Sequence, residues 1–352
     1  MNIKHPPVRF RRHLSAVALF TTMLLPTSSW AVAANEALNI YFVDVEGGQA
    51  TLFVTPAGES LLVDTGWPGS RDAERIMAAA SQARLSRIDY VLITHYHTDH
   101  VGGAAQLASR IPIGTFIDHG DNRETTNAPT VQGWQAYQKM LSAGKYKHIS
   151  AKPGDVLPIR GIHATVVSSD GAVIEDRLSE VSEANPECNS GPKYPVDQTE
   201  NARSLGTLMT FGKLKILDLG DLTRDKEVEL TCPVNKLGNI DIYIVSHHGS
   251  EQSGSPALVN AIAPRVAIMD NGANKGGSSS VWDIIERSPH LKDLWQLHFA
   301  DPGGSNHNVE PDFIANLEGP DQGNYLEVMA YPNGSFDVFN SRTRKTKHYP
   351  AG

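Results

Sequence analysis

The sequence predicts an α/β protein of two halves, each carrying strands that end on residues able to hold a metal. Three observations carry this. Short apolar runs with strand character recur along the 352 residues, first as a β-meander and then in β-α-β-α-β order, which calls for sheets covered by helices. The run His95-Tyr96-His97-Thr98-Asp99-His100 packs three imidazoles and a carboxylate behind the apolar stretch 88–93. The second half repeats this logic, with the apolar run 240–245 delivering Ser246-His247-His248-Gly249-Ser250.

Residues 1–33 are set aside. Lys4, Arg9, Arg11 and Arg12 form a basic start, residues 14–25 an apolar stretch too short to span a bilayer, and Ala31-Val32-Ala33 a cleavage signal. The pattern predicts an exported product starting at Ala34, secreted or periplasmic; a twin-arginine reading of Arg11-Arg12 fits poorly. No later stretch is long and apolar enough to span a membrane. Residues 34–352 are expected to form a single domain.

In chain order, 38–45, 49–55 and 60–63 read as strands broken at Glu46-Gly47-Gly48 and Pro56-Ala57-Gly58, ending on Asp64-Thr65-Gly66. A helix is predicted over 71–84, a strand over 88–94 feeding the histidine run, a helix over 102–109 and a strand over 114–117. Residues 121–150, with Trp134, Tyr137 and Tyr146, read as a helical insertion near a site. Residues 171–200 read as a long ordered loop, a length that in a compact domain is usually functional or disordered. A hairpin over 204–211 and 214–219 leads into Gly220-Asp221-Leu222-Thr223. Strands at 265–269 and 293–299 then alternate with helices near 255–262 and 279–288.

Cys188 and Cys232 are the only cysteines. In an oxidising compartment they are expected to pair, the alternative being two unpaired thiols; neither has metal-ligand spacing. Removing four bases with the signal takes the net charge from −8 to −12. That disfavours capture of long nucleic acid and leaves room for a small anionic substrate. No obligate protein partner is indicated.

On an extended chain, side chains at i and i+2 share a face, so His95 and His97 can chelate one ion. Asp99 and His100 must point elsewhere, which suggests a second ion and bridging groups from distant sequence.

The segments Val63-Asp64-Thr65-Gly66, His95-x-His97-x-Asp99-His100, Leu219-Gly220-Asp221 and Ser246-His247-His248-Gly249-Ser250 occur in the order that resembles the metallo-β-lactamase superfamily. With Val43-Asp44-Val45-Glu46-Gly47-Gly48-Gln49-Ala50, the chain from about 38 to 300 is similar to the hydrolase domains of ComEC-type DNA-uptake proteins and their secreted relatives. The resemblance implies a four-layer αβ/βα sandwich with the site at one edge. It implies His95 and His97 on a first metal, Asp99, His100 and one of His247 or His248 on a second, and Asp221 bridging. His247 is preferred as ligand because it directly follows its strand, leaving His248 to face substrate; Asp99 is also a proton acceptor. The expected cofactor is zinc, as one or two ions, with manganese as an alternative.

One departure matters. Many members place a further histidine about twenty residues before the bridging aspartate, where this chain reads Gln198-Thr199-Glu200-Asn201-Ala202-Arg203-Ser204. Glu200, Asn201 or water is expected to take that place. Asp64 is expected to orient a ligand histidine. Asp118-His119-Gly120, His298, His307 and Asn308 are further pocket candidates, and His163 is expected to be structural. The implied activity is hydrolysis by metal-activated water, with a small phosphodiester as the leading substrate, a lactone or β-lactam as the alternative, and a non-catalytic binding module as the third reading.

Overall fold

The computed structural model describes residues 1–5, 7, 36–178 and 184–352. Most of the expected export signal and its cleavage site lie outside the described residues.

The first half holds β1 (Leu38–Phe42), β2 (Thr51–Val54), β3 (Ser60–Val63), α1 (Ser70–Gln82), β4 (Ile88–Leu92), α2 (Thr98–Val101), α3 (Ala104–Ala108), β5 (Ile113–Asp118), α4 (Ala128–Ala143) and β6 (Lys147–Ser150). The second runs through β7 (Val156–Leu157), β8 (His163–Ser169), β9 (Ala172–Val173), α5 (Glu187–Ser190), β10 (Gly206–Phe211), β11 (Leu214–Asp218), α6 (Arg224–Thr231), β12 (Ile242–Ile244), α7 (Pro256–Ile262), β13 (Val266–Met269), α8 (Ser279–Glu286), β14 (Asp293–His298) and β15 (Ile314–Asn316). The chain closes with β16 (Leu326–Ala330), β17 (Phe336–Asn340) and β18 (Lys345–Tyr349).

Two mixed sheets result. One has the order β18-β17-β16-β1-β2-β3-β4-β5-β6, and the other β15-β14-β13-β12-β11-β10-β8-β7, with β9 on β8. Alternation along the strands explains why the sheets stack face to face. Leu38, Ile40 and Phe42 of β1, Leu61 and Val63 of β3, Ile216 of β11, and Ile242 and Ile244 of β12 share one core between the sheets. Their neighbours face outward. Tyr41, Leu52 and Leu62 pack with Ala73 and Ile76 of α1, Leu107 of α3 and Tyr137 of α4. Leu217 and Tyr243 pack with Leu230 of α6, Leu258 and Val259 of α7, and Val281 and Ile285 of α8. A strand buried on both faces reads as a near-continuous apolar run, as these do in the sequence. The four layers are therefore helix, sheet, sheet, helix.

Two local expectations are corrected, and one sheet gains strands the sequence reading lacked. Residues 147–150, assigned to an insertion, form the edge strand β6, parallel to β5. The helix expected over 102–109 is shorter, Ala104–Ala108, and follows the single turn Thr98–Val101 after Gly102 and Gly103, which pass too close to Pro68 and Thr65 to carry a side chain. The C-terminal strands, absent from the sequence reading, complete the first sheet through β16 on β1. Cys188 is bonded to Cys232.

The pairs β3–β4–β5 and β11–β12–β13–β14 are parallel. Their carboxyl ends therefore emerge along one edge of the sandwich, where open parallel sheets place ligands. Backbone bonds there tie the strand ends together: Leu205 N–H donates to Thr94 O (2.8 Å) across the two halves, and His247 N–H to Gly220 O (3.0 Å) within the second.

Candidate metal centre

The ends of β4, β11, β12 and β13 feed this edge. Residues 93–100 follow β4, with His95 fully buried and Asp99 and His100 in the single turn α2. Gly48 lies against α2 so tightly that a β-carbon would sit 2.3 Å from Asp99 O, and Gln49 N–H donates to the same oxygen (3.2 Å). Asp221 follows β11 and is 2% exposed. The histidine pair follows β12 in a short 3-10 turn, and Asp270 follows β13.

Two donor groups form, and they share one residue. Asp99, His100, Asp221 and His248 bring one donor atom each within 4.8 Å of one another, as do His95, His97 and Asp221. In the first group His100 Nε2 lies 3.3 Å from Asp221 Oδ1 and 3.3 Å from Asp99 Oδ2. His248 Nε2 is 3.2 Å from His100 Nε2, so two ring nitrogens face each other. In the second group His95 Nε2 is 3.8 Å from Asp221 Oδ2, while His97 Nε2 contacts Glu124 Oε2 at 2.9 Å.

The histidine pair departs from the expected orientation. His247 and His248 both adopt left-handed backbone (φ 55° each), which costs about 1 kcal/mol or more per residue and persists only where the surroundings enforce it. The turn carries the second imidazole, not the first, into the four-donor group. His247 instead approaches Asp221 Oδ2 at 3.3 Å, with Nδ1 on Ser253 Oγ at 3.3 Å. Analogy with His95 assumed an extended chain after the strand, and the chain turns there.

Outer contacts fix the rings. His100 Nδ1 donates to Asp64 Oδ2 (2.7 Å), and Asp64 also accepts from Thr94 N–H (2.8 Å) and Thr94 Oγ1–H (2.7 Å). His248 Nδ1 contacts Asp270 Oδ1 at 3.2 Å. Such partners leave Nε2 of each ring turned toward the cluster.

The donor set fits a divalent cation. Among the described residues, the buried atoms His95 Nε2 and Asp221 Oδ1 have no hydrogen-bond partner, and such orphans are rare without an ion or water. Burial, reinforced by His100, pushes His95 well below the usual imidazole range. Burial opposes charge on His100 too, but the carboxylates of Asp221, Asp99 and Asp64 outweigh it and hold the ring well above that range. Burial likewise opposes the raising of His248, which Asp221 and Asp270 carry up to about 9. Protons thus supply the positive charge the buried carboxylates need; a dication would supply it with neutral imidazoles.

The other predicted residues fall elsewhere. Glu200 holds a loop: Oε2 meets His119 Nε2 at 2.9 Å and Oε1 accepts from Arg123 N–H at 2.9 Å. Asn201 beside it has a buried Oδ1 without a hydrogen-bond partner among the described residues. Asp118 accepts from Tyr137 OH (2.9 Å) and pairs with His148 (2.7 Å), a structural role. His298 pairs with Asp44 at 2.7 Å, His307 Nδ1 donates to Gly303 O, and Asn308 Oδ1 accepts from Ala300 N–H. His163 sits exposed at the start of β8. Sequence reasoning missed Glu124, Asp270 and Lys275. Lys275 Nζ contacts Asp99, reaching in from the loop after β13. The signal was available: residues 265–269 end as a strand beside the others, so the polar run after them belongs at the same edge.

Residues 43–178 match the family described as the metallo-beta-lactamase superfamily. The chain carries a metallo-beta-lactamase superfamily domain. Recombination protein 2 of Haemophilus influenzae is 26% identical over 252 residues, covering 71% of this chain and 26% of that protein. ComE operon protein 3 of Bacillus subtilis is 25% identical over 196 residues, covering 54% and 21%. A UPF0173 metal-dependent hydrolase of Cupriavidus necator is 27% identical over 232 residues, covering 63% and 70%. The chain thus spans about a quarter of the length of the first two relatives, and the ComEC-type likeness read from the motifs is supported.

Proposed function

We propose that this metal-dependent hydrolase of the metallo-beta-lactamase superfamily is exported and cleaves phosphodiester-type bonds in small anionic substrates. The observation that carries the reading is the pair of donor groups meeting at Asp221, whose Oδ1 is buried without a hydrogen-bond partner. Two adjacent cation sites suit in-line displacement at phosphorus, and zinc ions there would supply Lewis acidity that activates water at neutral pH and polarises the bond under attack. His95 and His97 would hold one ion, with Asn201 Oδ1 in place of the missing histidine; Asp99, His100 and His248 would hold the other; and Asp221 would serve both.

The chain's own groups do the rest. Asp99, 9% exposed at its side chain, is placed to accept a proton from the attacking water. Asp64 and Asp270 keep His100 and His248 in the ligand tautomer. His247, with Nε2 3.3 Å from Asp221 Oδ2 and burial pushing it down to about 4, is neutral at pH 7 and faces the bridging carboxylate. A relative named for recombination, a process on nucleic-acid backbones, supports phosphorus over carbonyl carbon. The negative net charge of −8 favours a small substrate over a long polyanion. The Cys188–Cys232 bond supports an oxidising compartment, and no helix among the described residues is long and apolar enough to cross a membrane.

The test is zinc quantification with a substrate panel on protein starting at Ala34. Close to two ions per chain and hydrolysis of bis-p-nitrophenyl phosphate, but not of nitrocefin or a lactone, is expected. The reverse preference overturns the substrate class, and full activity after metal removal overturns the mechanism. Asp221→Ala should lose most bound zinc.

A further inference from the structure

We infer that the cleft between Glu46 and the start of α1 is a nucleobase subsite, with Trp67 as the stacking face and Lys275 as the cation for the adjoining phosphate; this rests on the phosphodiester reading above. The cleft has a volume of about 580 Å³ and is lined by Glu46, Trp67 and the segment Pro68 to Asp72. That size accepts a small ligand. Trp67 is half-buried, and its backbone is pinned: its N–H donates to Asp72 Oδ2 (2.8 Å), and Gly66 O accepts from Gly103 N–H (3.1 Å). An aromatic ring bordering a cleft on a held backbone is the element that stacks a base.

Lys275 joins this cleft to the metal centre. Its Nζ lies 5.2 Å from the centroid of the Trp67 ring and contacts the Asp99 carboxylate. A single ammonium therefore bridges the ring that borders the cleft and a donor of the four-residue group. With Asp99 turned to a cation, that ammonium keeps the Trp67 ring beneath it and is free to meet a phosphate oxygen. Arg71 is taken up by Asp72 at 2.6 Å, so it does not compete for the same oxygen. A phosphate at the donor cluster, meeting Lys275, would carry its sugar and base toward the Trp67 ring beside that ammonium. Stacking on one aromatic tolerates any base, so the subsite selects nucleotides as a class.

The experiment is calorimetric titration of zinc-loaded protein with adenosine 5′-monophosphate and with ribose 5-phosphate. The nucleotide should bind at least about fivefold more tightly, the low end of what one stacked base contributes. Trp67→Ala should abolish that preference and Trp67→Phe keep most of it. Lys275→Met should weaken both ligands alike at unchanged zinc content. Equal affinities in the parent protein, a preference that survives Trp67→Ala, or no binding of either ligand overturns the inference. Hydrolysis of bis-p-nitrophenyl phosphate is read in parallel. Hydrolysis without base preference removes this subsite alone, and base preference without hydrolysis removes the phosphodiester reading alone.

Discussion

Replacing Asp64 by Asn probes how the metal centre is oriented without touching a proposed ligand. Asp64 sits at φ 61°, a left-handed position that Asn tolerates better than most residues, so the backbone should hold. Asn keeps one oxygen for Thr94 N–H, now at 2.8 Å from Oδ1. What it loses is Oδ2, which accepts from both His100 Nδ1 and Thr94 Oγ1 at 2.7 Å. An amide nitrogen there is a donor and cannot receive the Nδ1 proton. His100 is then driven to the other tautomer, with the proton on Nε2, facing Asp99, Asp221 and His248 at 3.2–3.3 Å. A protonated Nε2 cannot bind metal, so each binding event must first pay for tautomer exchange. Loss of such an outer partner weakens metal binding about 10- to 100-fold, or about 1.4–2.7 kcal/mol. Competition with a chromogenic chelator measures this directly, and the loss should fall on one of two zinc ions. Unchanged affinity for both ions would refute the reasoning.

Four further outcomes are expected. Asp218, fully buried and holding Gln49 Nε2 at 2.6 Å, is pushed up to about 7 by burial. The unfolded chain releases that proton near 3.8 while the folded protein keeps it to about 7, so stability from this group falls as pH rises through that window. Asp218→Asn should therefore gain on the parent between pH 4 and 7, by at most about 4 kcal/mol, in denaturant melts at stepped pH. Removing both cysteines opens a closure of 44 residues and should lower stability by about 4 kcal/mol in the chain-entropy account, with zinc content unchanged. Asn201→Ala should lower zinc stoichiometry from two ions toward one, read by metal analysis after dialysis. Glu227 accepts the N–H groups of Gly254 and Ser255 at 2.8 and 2.6 Å in a buried setting; Glu227→Ala leaves both unpaired and should cost about 2–4 kcal/mol, seen as a lower thermal midpoint.

Much of the edge was legible because its parts are local. His95, His97, Asp99 and His100 lie within six residues, and each predicted strand ends on a polar run. What failed depended on contacts the sequence does not order. Nothing local marks 147–150 as a sheet edge, since Lys147, His148 and Ser150 are exposed and, among the described strands, it pairs with β5 alone. Nor does Glu124 announce itself: it reaches His97 only because α4 packs beside α2 and brings the preceding loop to the site.

The sequence by itself determined that strands buried on both faces alternate with helices, and that imidazoles and carboxylates cluster at their ends, because period and ligand chemistry are properties of the chain. Only the tertiary structure decided which donors share Asp221. Two successive left-handed residues turned His248 inward and His247 aside, and that choice depends on the packing of β11, β12 and β13 side by side. It also decided that Lys275 spans from Trp67 to Asp99, which lies 176 positions before it in the chain, with Trp67 earlier still, since such a meeting exists only once the two sheets close over a common core.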